Sequence, residues 1–557
     1  MKHTDQSTQP ASATGLFRSW RYLFCLIVLL VAIAGFYFEE NWRGQRALKM
    51  YQREIEDRGQ TLDRSTFVPQ PVADSQNFAN TPLLAGLFDF YPGTQKFAST
   101  NALARTQAIA PLFDSAKRTI KENNKEPRSN SWVTAHLDLD AWHEAFLASK
   151  EENNLHENKA SLPGQAIIPN AQDAQGDIST NPLNANPRQK EAATVILASL
   201  SECEPVLKQI RDDSQRPFSR FNIRYHEKNP AGILLPHLAV LKHLTEILQL
   251  RLSAELALGR TEDAFNDLRL MLYLTNAMRD EPIMISHLVR IAQMRLVLAA
   301  IASGMREWSG PELEELQRLL REFNFCADLK RAMQAERTFF GGGVIDFIRD
   351  SPKELNSVLS STSSNEQFPD FLLADMPSGW FDLEKLNYYK LFDKYLAPEV
   401  LEVHRVSPAR LDQAQKQIEL ALRHSSSALF LRHRFLARIL IPNLEGAIRK
   451  AAFAQQGVEA AILACALERY RRSHQHYPDR LDWLVPECVP NLSTDIISGQ
   501  PLNYKSSGDA HYLLYSVGWN EIDDGGKVFS GKVDAGAGRL DRESSAPSLE
   551  ADWVWTE

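Results

Sequence analysis

Cysteine is scarce: five occur in 557 residues. Cys25 lies in an apolar run, and Cys203, Cys326, Cys465 and Cys488 are widely spaced with no CxxC pair. Such spacing supplies neither a zinc knuckle nor a disulfide framework. A Cys465–Cys488 bridge stays open beside the simpler reading of separate buried thiols. Positive charge is not in excess either. Lys and Arg total 62 against 70 Asp and Glu, giving a net charge of -8 and a pI near 6.0. A nucleic-acid surface needs clustered basic residues to displace counterions, so no nucleic-acid partner is expected. No GxSxG, HExxH, SxxK or GxGxxG stands in a fitting context. Gly341-Gly342-Gly343 lacks the Lys and Ser/Thr of a phosphate loop, which leaves a hinge or a tight helix contact.

What the chain does have begins at Tyr22–Phe38, the uncharged run YLFCLIVLLVAIAGFYF. Trp20 and Tyr22 precede it, and Tyr37 and Trp42 follow, as in the aromatic belts of a spanning helix. We expect a transmembrane helix over 19–42. No small-x-small cleavage site and no lipobox cysteine follow the run, so it reads as a retained signal-anchor. Lys2, Arg18 and Arg21 lie before it, and Arg43, Arg46, Lys49 and Arg53 after it. The positive-inside rule does not decide between these flanks. The orientation expected is single-pass in the bacterial inner membrane, with most of the chain periplasmic.

The remaining chain divides by composition. Residues 1–18 read as a disordered tail and 43–149 as a membrane-proximal helical and irregular region. Pro, Gly, Asn and Gln mark 150–188 as a linker. Residues 189–442 form an α-helical domain with a Ser-rich polar insert at 351–380. Leu241, Leu244, Leu248, Leu252 and Leu256 make one stripe, and Gly259 ends that helix. Ser309 and Glu312 make a capping box. AELALGRTEDAFNDLRLMLYL resembles the hinge of a tetratricopeptide-type hairpin, over one unit only. The fold class expected is mainly α, an irregular helical array followed by a small α+β module at 443–557.

That module reads as one long helix and short strands at LNYK, HYLLYSVG, KVFSG and DWVW. ALERYRRSHQHYPDRLDWLV, with HYLLYSVGWNEIDDGG and ADWVW, resembles the globular domain of type II secretion major pseudopilins. DxxSGQPLNY, YSVG and DDGG, with NWRGQRALKMYQRE and EPIMISHLVRIA, resemble uncharacterised membrane-anchored proteins of Planctomycetes- and Verrucomicrobia-type bacteria. The pseudopilin resemblance implies calcium in the terminal loop, at Asp523, Asp524 and Asp552. Hard cations take carboxylate and carbonyl oxygens, and Gly525-Gly526 lets carbonyls converge. A solvated turn is the plainer reading of the same residues. One departure bears on function. A pseudopilin carries its membrane helix at the start of its long helix, and here the apolar run lies far upstream.

Two further constellations favour bland readings. His474, His476 and His511 beside Cys465 and Cys488 read as surface histidines, not a metal site. Arg290 and Arg295, with Glu281 nearby, read as a buried Arg–Glu clamp between helices. The function expected is membrane-anchored binding or scaffolding in the cell envelope, without catalysis, for an unidentified protein partner. A hydrolase with a site between helical body and terminal module is the rival class. A secretion-associated component is the third.

Overall fold

The computed structural model describes residues 13–91, 96–98, 100–123, 128–133, 137–158, 186–355, 376–398, 400–402, 404–441, 444–506, 511–528, 530–531 and 551–556. Residues 1–12 of the expected tail, 159–185 of the linker and 356–375 of the insert lie outside these. Helix is the dominant element, with few strands. The helix that starts at Ala13 takes in the end of the expected tail. Helices Leu139–Asn158 and Pro187–Ser199 likewise claim both flanks of the expected linker.

The chain forms two compact units, neither continuous in sequence. The first holds Met1–Asp63, Phe340–Phe392 and Ala421–Pro442. Its founding element is a single helix, Ala13–Asp57, unbroken through the apolar run and the charged segment after it. Nothing in Glu39–Asp57 interrupts a helix: Gly44 is the sole glycine and there is no proline. The apolar stretch is uncovered, with Leu29 at 56% and Val31 at 66% exposed. Burial begins at Glu40 and recurs at Gly44, Tyr51 and Ile55 on one face. That face meets the Ser378–Leu396 helix. Asn41 Oδ1 accepts the Gly379 amide at 2.9 Å and the Ser378 hydroxyl at 3.1 Å, and the Tyr51 and Tyr389 rings stack. The triple glycine performs a packing task. A Cβ at Gly341 or Gly342 would run into the Tyr388 or Tyr389 ring, so only glycine lets the Gly342–Asp350 helix approach.

The second unit holds Arg64–Phe339, Asp393–Leu420 and Asn443–Glu557. Helices Pro236–Ala257 and Thr261–Asn276 are joined by a three-residue turn in which Gly259 takes φ +75°. All five leucines of the expected stripe are buried. Met284–Ser303 is apolar enough to cross a membrane but is mostly buried inside the protein, as a core helix is. Gly310–Leu320 begins at the Ser309–Glu312 capping box, formed in both directions.

The helix Leu444–His474 is the hub of this unit. It packs against Met284–Ser303, Gly310–Leu320 and Phe325–Ala335, and against the terminal sheet. From Ala451 to Tyr470 every residue but Glu459 and Arg469 is buried, on all faces. Alanine makes that workable: it favours helix strongly and keeps the cylinder thin. At Gly457 a Cβ would press on Leu298 and Trp132.

Strands β2 (Asn503–Ser506), β3 (Tyr512–Ser516) and β5 (Trp553–Thr556) form an antiparallel sheet in the order β2–β3–β5. Trp553, Val554 and Trp555 are all buried. Among the described residues of the expected KVFSG strand, Ser530–Gly531 (β4) pairs, and its partner is Arg128–Ser129 (β1). The next residues continue onto the main sheet. The Val554 amide donates to Asn130 O at 3.0 Å, and the Trp132 amide donates to Val554 O at 3.2 Å. Residues 130–132, expected in the membrane-proximal region, thus extend the terminal sheet beside β5, while 128–129 pair with β4.

Candidate functional site

The loop after β3 is built from left-handed positions. Gly518, Glu521, Gly525 and Gly526 all take positive φ, and a Cβ at Gly518 would overlap the Ala551 carbonyl. Short side chains brace the backbone as Asx turns. Asn520 Oδ1 accepts the Ile522 amide at 3.0 Å, and Asp523 Oδ1 accepts the Gly525 amide at 2.9 Å. Asn520 Nδ2 also donates to Asp524 Oδ2 at 3.0 Å.

Asp552 closes the loop from the other side. It is fully buried, and its Oδ2 accepts the Gly526 amide at 2.7 Å. Its Oδ1 is buried and has no hydrogen-bond partner among the described residues. Burial pushes the Asp552 carboxyl up; the Gly526 and Asp524 amides oppose this, and the charges of Asp523 and Asp524 reinforce it. Asp523 is exposed and Asp524 half-buried. Lys505 enters the same neighbourhood, its Nζ 5.2 Å from the Tyr515 ring and donating to Gly525 O at 3.5 Å. Among the described residues, no group of three or more His, Cys, Asp or Glu side chains is arranged to hold a metal ion. What the geometry supplies is one orphaned buried oxygen, two flanking carboxylates and a glycine turn.

The motifs behind the resemblances have structural work. Asp495 of DxxSGQPLNY is buried and accepts the Ile497 amide at 2.8 Å, the Ser516 hydroxyl at 3.0 Å and the Val517 amide at 3.1 Å. It ties the SGQ turn to the end of β3, which is the Ser-Val of YSVG. Buried Glu468 accepts the Tyr477 hydroxyl at 3.1 Å and pairs with Arg471 and Arg472. Tyr504 in turn donates to Pro478 O at 2.7 Å. These bonds lock the Tyr-Pro turn to the helix end.

His474 stacks on Tyr470 with centroids 3.9 Å apart, His476 Nδ1 donates to Tyr477 O at 2.9 Å, and His511 is exposed on β3's approach. Cys465 and Cys488 are separate buried thiols. Arg290 is buried in a clamp, but its acid is not Glu281. It donates to Asp328 Oδ2 at 3.1 Å, Thr275 O at 3.1 Å and Asn276 Oδ1 at 3.2 Å, and lies over the Phe325 ring. Glu281 instead sits 2.7 Å from His237 Nε2. Arg295 is exposed.

Hydrogen bonds cross between the helical body and the terminal module, where the rival hydrolase reading places its site. Gln317 donates to Ile462 O at 3.1 Å, and Gln455 accepts the Phe325 amide at 2.7 Å. No family model, curated protein or solved structure matches the chain.

Proposed function

We propose that the chain is a single-pass, membrane-anchored binding or scaffold protein of the bacterial cell envelope, acting without catalysis. The observation that carries this is the Ala13–Asp57 helix. Its first part is long and apolar enough to span a membrane and is uncovered by the rest of the chain. Its second part is a core element of a folded unit. The anchor and this core element of the first unit are one continuous helix, which suits holding a folded body close to a bilayer. The bulk of the chain lies on the periplasmic side in this reading, with the signal-anchor uncleaved.

Support for a pseudopilin-like terminal module comes from the long helix, the locked Tyr477-Pro478 turn and the three-stranded antiparallel sheet. The apolar run ends at Phe38 and the long helix starts at Leu444. Assembly into a pilus-like fibre therefore forms no part of the proposal, and docking beside a secretion apparatus does. A hard cation such as Ca2+ in the terminal loop is favoured by the orphaned Asp552 Oδ1, with Asp523 and Asp524 as further donors.

Orientation is tested by a cysteine at Ile522, which is 60% exposed. A membrane-impermeant maleimide added to cells with a permeabilised outer membrane labels it if the placement is right. Labelling only after lysis of the inner membrane reverses the orientation.

A further inference from the structure

We propose that residues 423–438 form a face that lies on the bilayer surface and binds anionic lipid headgroups. The inference rests on the anchoring proposed above and adds a second, chemically specific contact with the same membrane.

The sequence between Glu419 and Glu445 contains no Asp or Glu. It carries Arg423, Arg432, Arg434 and Arg438, with His424 and His433 beside them. In a chain of net charge -8 that local excess is unusual. Arg423, Arg432 and Arg438 are exposed. Leu431, at the end of the Ser426–Leu431 helix, is 71% exposed. An exposed leucine flanked by arginines suits the boundary between acyl chains and headgroups, where the apolar side chain dips and the guanidinium meets phosphate.

Position fixes the face at that boundary. Phe36 lies in the apolar run, within one turn of its end. It meets Trp380 edge-on, with centroids 6.3 Å apart. Trp380 donates its indole N–H to Glu40 Oε2 at 3.0 Å, so its ring bridges the last apolar turn and the first polar one. Tryptophan with one apolar and one hydrogen-bonded edge belongs at the interface. Trp380 then touches Phe430 at 5.6 Å and His433 at 5.1 Å. The basic segment is thus packed against the point where the helix leaves the hydrocarbon. Glu384 anchors it from behind, accepting the Phe435 and Leu436 amides at 3.0 Å each. The Asn387 side chain donates to His433 O at 2.8 Å.

Anionic lipid attracts a basic residue near the surface, and the attraction dies within a Debye length. The test uses the full chain with Cys25→Ser and Leu431→Cys, the new thiol carrying an environment-sensitive fluorophore. It is placed in nanodiscs of phosphatidylcholine alone or mixed with phosphatidylglycerol. The expected result is a blue shift and about two-fold weaker acrylamide quenching in the anionic discs, reversed by high salt. Changing Arg423, Arg432 and Arg438 together to Gln abolishes the difference, and changing them to Lys retains it. Equal quenching in both discs overturns the proposal, as does an equal response in the Gln variant. Inorganic phosphate added to neutral discs leaves the probe unchanged; if it reproduces the shift, a free anion is the ligand and the lipid face is wrong. Failure of the chain to stay in either disc contradicts the anchoring itself and is read separately from the probe.

Discussion

Gly44 and Gly379 meet backbone to backbone. A Cβ on either one would overlap the main chain of the other's helix, at the Gly379 carbonyl or the Glu40 carbonyl. The close approach is what brings Asn41 into reach of the Gly379 amide. Alanine at either position forces the two helices apart, since neither neighbour is a flexible side chain. The expected cost is about 1–3 kcal/mol, the range for overpacking. Thermal unfolding of Gly44→Ala and Gly379→Ala in detergent checks it, and a midpoint unchanged in both refutes the contact.

Glu384 sets a pH dependence. Burial pushes its carboxyl up to about 8, with the Phe435, Leu436 and Ala437 amides pulling the other way. A carboxyl raised in the folded state above the ordinary 4.5 holds its proton longer when folded. The associated stability is complete below about 4.5 and is lost as pH climbs toward 8. Stability should therefore fall between pH 5 and pH 8, by an amount on the order of 1 kcal/mol or more. Glu384→Gln should flatten that slope. It should also lower stability throughout, by about 1–3 kcal/mol, because its amide nitrogen cannot accept a backbone N–H. Denaturant titrations at several pH values read both effects.

The Arg290–Asp328 pair is buried on both sides, at 0% and 6% side-chain exposure. Removing one partner leaves the other charge without compensation. Asp328→Ala should cost about 3–5 kcal/mol, and the double change Arg290→Met with Asp328→Ala should cost less than Asp328→Ala alone. Equal losses would mean that the clamp's bonds to Thr275 and Asn276 suffice without the ion pair.

Much of this architecture was legible in local pattern. The leucine stripe, Gly259, the Ser309–Glu312 box and the strands around YSVG are each read within a single element, and the structure forms each of them. Partners distant in sequence were not legible. Nothing near Asn130 signals that it donates to Asp552 O and Lys527 O, or that its segment extends a sheet from the far end of the chain. Glu281 was the nearest acid in sequence to Arg290, but the fold turns it toward His237 and offers Asp328. The basic stretch at 423–438 is plain in composition. Its meaning needed the Phe36–Trp380 contact, which joins residues far apart in sequence. The acidic loop was legible as a turn. The orphaned oxygen of Asp552 appears only in three dimensions.

That oxygen gives the cation test. With Ca2+ present the carboxylates of Asp552, Asp523 and Asp524 gain a counter-charge, and unfolding should move to higher temperature. A chelator should reverse the change, and Asp552→Asn or Asp524→Ala should remove the response. A midpoint that ignores chelator in the unaltered chain eliminates the site.

The most direct test of the central claim is extraction of membranes with alkaline carbonate. The full chain should stay in the pellet, and a chain starting at Glu39 should appear in the supernatant, still folded by near-ultraviolet circular dichroism. The buried residues of the helix, from Glu40 to Ile55, remain in that shorter chain. Release of the full chain into the carbonate supernatant would contradict the account.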